Sequence, residues 1–331
     1  MILDAAQLQR RYLQRISGIR DKKVYIGPEI INLEINNTCN LRCKFCWTHA
    51  PGNSAHFDKP NYFPWEKFVG IVRDSVDLQV DQIHLIGSGE PTMHPSFRDM
   101  MRHLEHQPFY IKVITNATFP LDYCSDVIKG DHVLINLSAI DRQQYRDLKG
   151  KDLFDRVVAN IKRLVSLRDS EKPGFHIEIA YIVNSENVNQ ALQMREFASQ
   201  LGVNSVYYNK MNVHAYNRDI ALPEDVSSEI SGEDKRYPPE CSHGWFFFSI
   251  KPDEGASICC RIHKMHLGTP EKWSLKQIWL STHMMNVRLM GKYGQIQKIY
   301  EACQTCPFYD KNIKRMQDAV ELEKNEKAVT K

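Results

Sequence analysis

The stretch INLEINNTCNLRCKFCW (Ile31–Trp47) decides how the chain is read. Its first part, with Ile30, is a β-rich run. It passes directly into three cysteines, Cys39, Cys43 and Cys46, spaced C-x3-C-x2-C. Thiolates bind iron well and commonly hold iron–sulfur clusters. A four-iron cube with three protein thiolates keeps one iron open. An open coordination position lets a metal site bind and activate a ligand. Zinc is the alternative, with His49 as a fourth ligand. Structural zinc motifs, however, usually pair two C-x2-C knuckles, and the x3 spacing is unusual for them.

Working outward, strand and helix signals alternate from about residue 30 to 210. Strands are expected at Ile30–Ile35, Gln82–Ile86, Tyr110–Thr115, Val133–Leu137, Phe175–Val183 and Ser205–Lys210. A loop from Ala50 to Phe63 precedes a helix opened by Pro64, a favoured first-turn residue. Further helices are expected at Phe97–His106, Leu121–Ile128 and Asn189–Gln200. The clearest helix is Phe154–Arg168, with Val157, Val158, Ile161, Leu164 and Val165 on one face. Such alternation implies an α/β fold with a parallel sheet and helices outside it. Ligands then sit at the C-terminal ends of the strands, where the Cys39 group lies.

The bulk properties exclude several classes. The chain has 331 residues, 42% hydrophobic and 25% charged, with a net charge of +3. That balance is ordinary for a globular protein. No Lys/Arg block marks a nucleic-acid surface. No apolar run is long enough for a membrane span, and the first residues lack a signal-peptide core. A cytoplasmic location is expected. In a reducing compartment the nine cysteines are better read as metal ligands or reactive thiols than as disulfides. Cys124 stands alone and reads as a small buried residue.

The opening stretch resembles the start of a radical S-adenosylmethionine (SAM) domain, including Phe45 before the third cysteine. The resemblance continues in order along the chain. Gly87-Ser88-Gly89-Glu90-Pro91 looks like the family's GGEP motif, with Ser88 replacing one glycine. Thr115 and Asn116 end the third strand, Ser138 the fourth and Asn184 the fifth. The resemblance implies a partial (β/α)6, TIM-like barrel. It implies that Cys39, Cys43 and Cys46 hold a 4Fe-4S cluster that cleaves SAM to a 5'-deoxyadenosyl radical. It also implies SAM contacts from Phe45, Gly89, Glu90, Pro91, Thr115, Asn116, Ser138 and Asn184. An external electron donor, flavodoxin or ferredoxin, follows from the same chemistry.

A second group, Cys241, Cys259 or Cys260, Cys303 and Cys306, offers four thiolates. Four ligands close a cluster completely, as electron transfer requires; a structural zinc is the alternative. The layout resembles the twitch domain, a short relative of the SPASM domain, which carries one auxiliary 4Fe-4S cluster. If Cys259 and Cys260 lie on a strand, they point to opposite sides and only one faces the cluster. The twitch resemblance favours Cys259, whose distance from Cys241 fits that pattern better. The expected organisation is an extension (1–29), a barrel (30–212), a linker (213–240), a smaller α+β domain (241–310) and a charged tail (311–331).

Strand parity sets Asn32, Glu34 and Asn36 on one face, with His84, Ile86 and Ser88 matching them and Asn136, His176 and Glu178 further round. A polar interior suits a hydrogen-bonding substrate. The extension is too short for a separate peptide-recognition domain, which favours a small polar metabolite. The cysteine layout also resembles the aminocyclitol dehydrogenase of butirosin biosynthesis. That points to radical oxidation of a sugar-like or aminocyclitol alcohol, with Glu178, His49 or Tyr207 (or neighbouring Tyr208) as candidate base. A ribosomal peptide substrate and a zinc-stabilised binding protein without catalysis are the rival readings.

Overall fold

In the computed structural model of the chain, residues 3–46, 48–51, 59–184, 186–210, 240–252, 255–262, 265, 267, 273–306 and 308–329 are described. The expected linker falls almost wholly outside them. The six expected strands form: β1 (Ile30–Glu34), β2 (Gln82–Ile86), β3 (Tyr110–Thr115), β4 (His132–Asn136), β5 (His176–Val183) and β6 (Ser205–Lys210). They pair in parallel in chain order. Between them lie α2 (Trp65–Asp77), α3 (Phe97–Leu104), α4 (Cys124–Val127), α5 (Arg142–Lys149), α6 (Phe154–Glu171) and α7 (Ala191–Leu201).

Alternation builds the two faces of the sheet. Ile31, Leu33 and Ile35 are fully buried in the core shared with Phe68, Val72 and Phe97. Asn32, Glu34 and Asn36 are buried polar residues on the opposite parity. The result is a mostly parallel sheet wrapped by helices, a partial TIM-like fold with a polar inner side.

The C-terminal region is a smaller domain, and it holds the expected hairpin, β7 (Phe247–Lys251) and β8 (Gly255–Ser257). Sequence alone did not show that β7 also pairs with β1 in parallel, Ile31 opposite Phe248. One eight-stranded sheet therefore runs β6-β5-β4-β3-β2-β1-β7-β8. Helices α8 (His243–Phe246), α9 (Leu275–Leu280), α10 (Thr282–Lys292) and α11 (Ile296–Ile299) complete this region.

Two helices at the ends of the chain pack together. The first, α1 (Ala5–Asp21), starts at a capping box in which Asp4 and Gln7 satisfy each other's backbone N–H groups. Its Arg15 is buried and pairs with Asp81 at 2.6 Å. The last, α12 (Tyr309–Val329), spans most of the charged tail, whose composition reads as a solvated helix. Instead Met316 and Ala319 pack with Ile16, Ile19 and Phe246, so one face of the tail is core. Its dense charge hides this narrow apolar stripe in the sequence.

Candidate active site

The cysteine loop after β1 is held from three sides. The first is the segment after β2. Gly89 N donates to Asn36 O at 3.2 Å and Glu90 N to Thr38 O at 2.7 Å. Asn36 Nδ2 donates to Glu90 O at 2.8 Å. Thr48 donates its hydroxyl to Ser88 O at 2.8 Å and also contacts the Cys46 sulfur at 3.1 Å. This explains the glycine at 89, where a Cβ would stand 1.9 Å from Thr38 O. Ser88 needs no such freedom, so its replacement of a glycine is tolerated; its hydroxyl donates to the Glu34 carboxylate.

The second side is the end of β3. Glu90 is buried, and its carboxylate accepts from Thr92 N (3.2 Å), Thr92 Oγ1 (2.7 Å), Thr115 Oγ1 (2.5 Å) and Asn116 N (2.7 Å). Burial pushes the Glu90 carboxyl up, and these bonds oppose that push. Glu90 therefore ties its own motif to β3. Asn116 reaches the cysteine loop, donating to Asn40 Oδ1 at 3.1 Å with the Cys39 sulfur 4.0 Å away.

The third side is α5. Arg42 N donates to Lys149 O at 3.1 Å and Lys44 N to Leu148 O at 2.9 Å, so the loop caps the end of this helix. Lys149 is buried, donates to Asn136 O (3.0 Å) and Oδ1 (2.7 Å), and lies 4.9 Å from the Phe45 ring centroid. Lys149 and Tyr145 were missed in the sequence, where Arg142–Lys149 carries few apolar residues and shows no helical stripe.

Ser138 and Asn184 close the other strand ends. Ser138 holds a left-handed backbone, φ 57°, which costs an L-residue about 1–2 kcal/mol. Its hydroxyl donates to Asn136 Oδ1 at 3.0 Å and accepts from Ile182 N at 3.1 Å. Asn187 Nδ2 donates to Ser138 O at 3.0 Å, while Asn187 Oδ1 accepts from Asn184 N at 2.8 Å.

The three thiols lie on one short loop, and all are partly buried. Burial pushes the Cys39 thiol up to about 12 and raises that of Cys43. Metal binding must therefore release their protons. A cavity of about 160 Å³ opens beside them, lined by Asn37, Thr38, Cys39, Arg42, Thr48 and His49 among others. His49 sits in its wall, its imidazolium disfavoured by burial.

The candidate bases separate in space. Glu178 lies near the N-terminal end of β5, six residues before Asn184, roughly 20 Å along a strand. His132 stands 3.1 Å from its carboxylate, Lys112 3.4 Å and Ser205 3.2 Å. Burial would raise the Glu178 carboxyl, but His132, Lys112 and Ser205 outweigh it and hold it at about 2. A carboxyl held this low is a poor proton acceptor at neutral pH. Tyr207 shares the inner parity with Ser205, opposite Ala180. Tyr208 points to the helices, where it is buried and donates to Ala191 O at 2.8 Å.

The second cysteine group also converges. Cys241, Cys259, Cys303 and Cys306 line one cavity with Ile258, Ile262 and Ile296. Asn312 braces it, approaching the Cys306 sulfur at 3.8 Å and accepting from Ser242 N at 2.9 Å. Cys260 is not among the residues lining this cavity, but the strand alternation expected of the pair does not hold. β8 ends at Ser257, neither cysteine lies on a strand, and the two thiols contact each other.

Residues 33–197 match the Radical SAM superfamily, so this part of the chain is a radical SAM domain. The family implies a 4Fe-4S cluster and SAM. The three-cysteine loop suits such a cluster: its thiols are clustered, one wall carries a buried ammonium, and the buried Tyr145 hydroxyl has no protein partner. Among curated relatives, the tungsten-containing aldehyde ferredoxin oxidoreductase cofactor-modifying protein of Pyrococcus furiosus is 28% identical over 182 residues, 53% of this chain and 49% of that one. A probable GTP 3',8-cyclase of Metallosphaera sedula is 26% identical over 184 residues, 54% of each. The matches thus span about half the length of these relatives. Among solved structures, Streptococcus suis SuiB bound to S-adenosylmethionine superimposes with a TM-score of 0.67 at 14% identity, over 92% of this chain and 79% of SuiB. BtrN in an open conformation gives only 0.48 at 14% identity, over 84% of this chain and 92% of BtrN, too distant to bear on the reaction. Among the described residues, no helix is long and apolar enough to cross a membrane.

Proposed function

We propose that the protein is a radical SAM oxidoreductase with two iron–sulfur clusters, acting on a small polar alcohol of sugar-like or aminocyclitol type. Cys39, Cys43 and Cys46 hold the first cluster, and Cys241, Cys259, Cys303 and Cys306 the second. When bound, the first cluster and SAM would supply a radical able to abstract the carbinol hydrogen and the second cluster would be the acceptor for the remaining electron, while the substrate's hydroxyl proton passes to the base. A flavodoxin- or ferredoxin-type protein supplies the priming electron.

The protein's own part is to bind and orient. Phe45, the main chain at Gly89–Pro91, Asn116, Ser138 and Asn184 frame the space for SAM above the strand ends. Thr115 and Glu90 keep that frame rigid. Tyr207 or His49 serves as base, since Glu178 is locked in its ion network. The observation that carries the reading is the meeting of four cysteines from distant segments in one cavity. Full thiolate ligation is what an electron-transfer cluster requires.

A modified peptide is the rival reading. Its support is the fold-level likeness to SuiB, which has also been solved bound to the precursor peptide SuiA. The test is 5'-deoxyadenosine release by the reconstituted, reduced enzyme against panels of aminocyclitols, sugars and peptides. Stimulation by a polyol with appearance of a carbonyl product is expected. Stimulation by peptides alone would overturn the small-alcohol reading.

A further inference from the structure

Tyr145 and Lys149 stand one turn apart on the same face of α5, and neither is more than 1% exposed. The cysteine loop is bonded to the end of that helix through Arg42 and Lys44. Gly150 follows with φ 74°, and a Cβ there would stand 2.8 Å from Arg42 O. The register of loop against helix is therefore fixed by main chain.

The two side chains differ in one respect. The Lys149 ammonium is satisfied by Asn136. The Tyr145 hydroxyl is fully enclosed and has no hydrogen-bond partner. Its ring packs against Phe154, with centroids 5.9 Å apart, so it cannot swing out to water. Burial pushes the hydroxyl up, and the charges of Cys43, Glu90 and Cys39 add to that push. Glu90 is already engaged by Thr92, Thr115 and Asn116. Buried hydroxyls in native proteins are nearly always paired, and the segment bonded to the end of α5 is the loop that carries the three cysteines.

We propose that Tyr145 donates a hydrogen bond to a sulfur of the cluster held by Cys39, Cys43 and Cys46, and thereby raises its reduction potential. The inference rests on the cluster assignment above. Hydrogen bonds to cluster sulfurs favour the reduced, more negative state and are among the main determinants of potential. Lys149, held by Asn136, stands on the same wall, and Tyr145 adds the directional contact.

The test is an EPR-monitored redox titration of reconstituted enzyme without SAM, following the signal that changes when SAM is later added. Tyr145→Phe keeps the ring and its packing and removes the donor. At a fixed poise, the ratio of reduced to oxidised cluster is expected to fall at least about threefold, by the one-electron Nernst relation. Replacing Tyr145 by 3-fluorotyrosine strengthens the donor without changing its shape, and the ratio is expected to rise. Unchanged ratios in the variants that load iron as the wild type does would overturn the proposal. If Tyr145→Phe fails to load, the fluorotyrosine enzyme decides alone. Wild-type protein with no reducible cluster on the three cysteines would instead overturn the parent assignment.

Discussion

Gly89 and Thr38 touch so closely that no other residue fits at position 89: an added Cβ would stand 1.9 Å from the Thr38 carbonyl oxygen. Thr38 immediately precedes Cys39, so this contact sets where the cysteine loop leaves the sheet. Gly89→Ala is expected to displace the loop and cost at least the 1–3 kcal/mol or so typical of overpacking. Iron content after reconstitution, read beside the melting temperature, checks this. A variant that keeps wild-type iron and stability would show that the loop is not anchored here.

Cys259 and Cys260 make a sharp pair for mutation because only the first lines the four-cysteine cavity. Cys259→Ala is expected to lower bound iron by about four per chain, the content of one cube. Cys260→Ala should keep the full complement. The reverse pattern would exchange the two residues' roles.

Glu178 should reveal itself in pH dependence. Its carboxyl is held at about 2 against an ordinary 4.5. A depressed carboxyl contributes stability that is complete above the unfolded value and is lost as pH falls through the folded one. Glu178→Gln is therefore expected to melt lower than wild type at pH 6, with the gap narrowing as pH falls from 4.5 towards 2. A gap that stays constant across that window would show that the network with His132 and Lys112 does not stabilise the fold.

The barrel was legible because its signals are local. In β1, apolar and polar residues alternate, and each strand end carries a polar residue at a fixed place. The part that escaped is not local. Arg142–Lys149 has only Tyr145 and Leu148 to mark it as a helix, so the wall that holds the cysteine loop was invisible. Nothing in Phe247–Lys251 announces a parallel partner in β1, because that pairing is set by tertiary packing. Parity called for an inner face at Glu178. It could not show that His132 on β4 and Lys112 on β3 would engage the carboxylate there.

The ends of the chain offer a test of stability apart from the chemistry. Arg15 is buried on α1, donates to Gly27 O at 2.9 Å and pairs with Asp81 at 2.6 Å. Arg15→Met leaves Asp81 with Arg11 alone and is expected to cost about 3 kcal/mol, the low end for a broken buried pair. Denaturant midpoints measure it, and a shift below about 1 kcal/mol, the range of exposed pairs, would place the anchor elsewhere.

The most direct measurement is iron and sulfide per chain after anaerobic reconstitution, in wild type, in Cys39/Cys43/Cys46→Ala and in Cys303/Cys306→Ala. Two clusters predict about eight irons in wild type and about four in either variant, by the four-iron content of each cube. About four irons in wild type, none in the first variant and an unchanged count in the second would contradict the account: the auxiliary cluster would be absent, and the electron acceptor for the proposed oxidation would go with it.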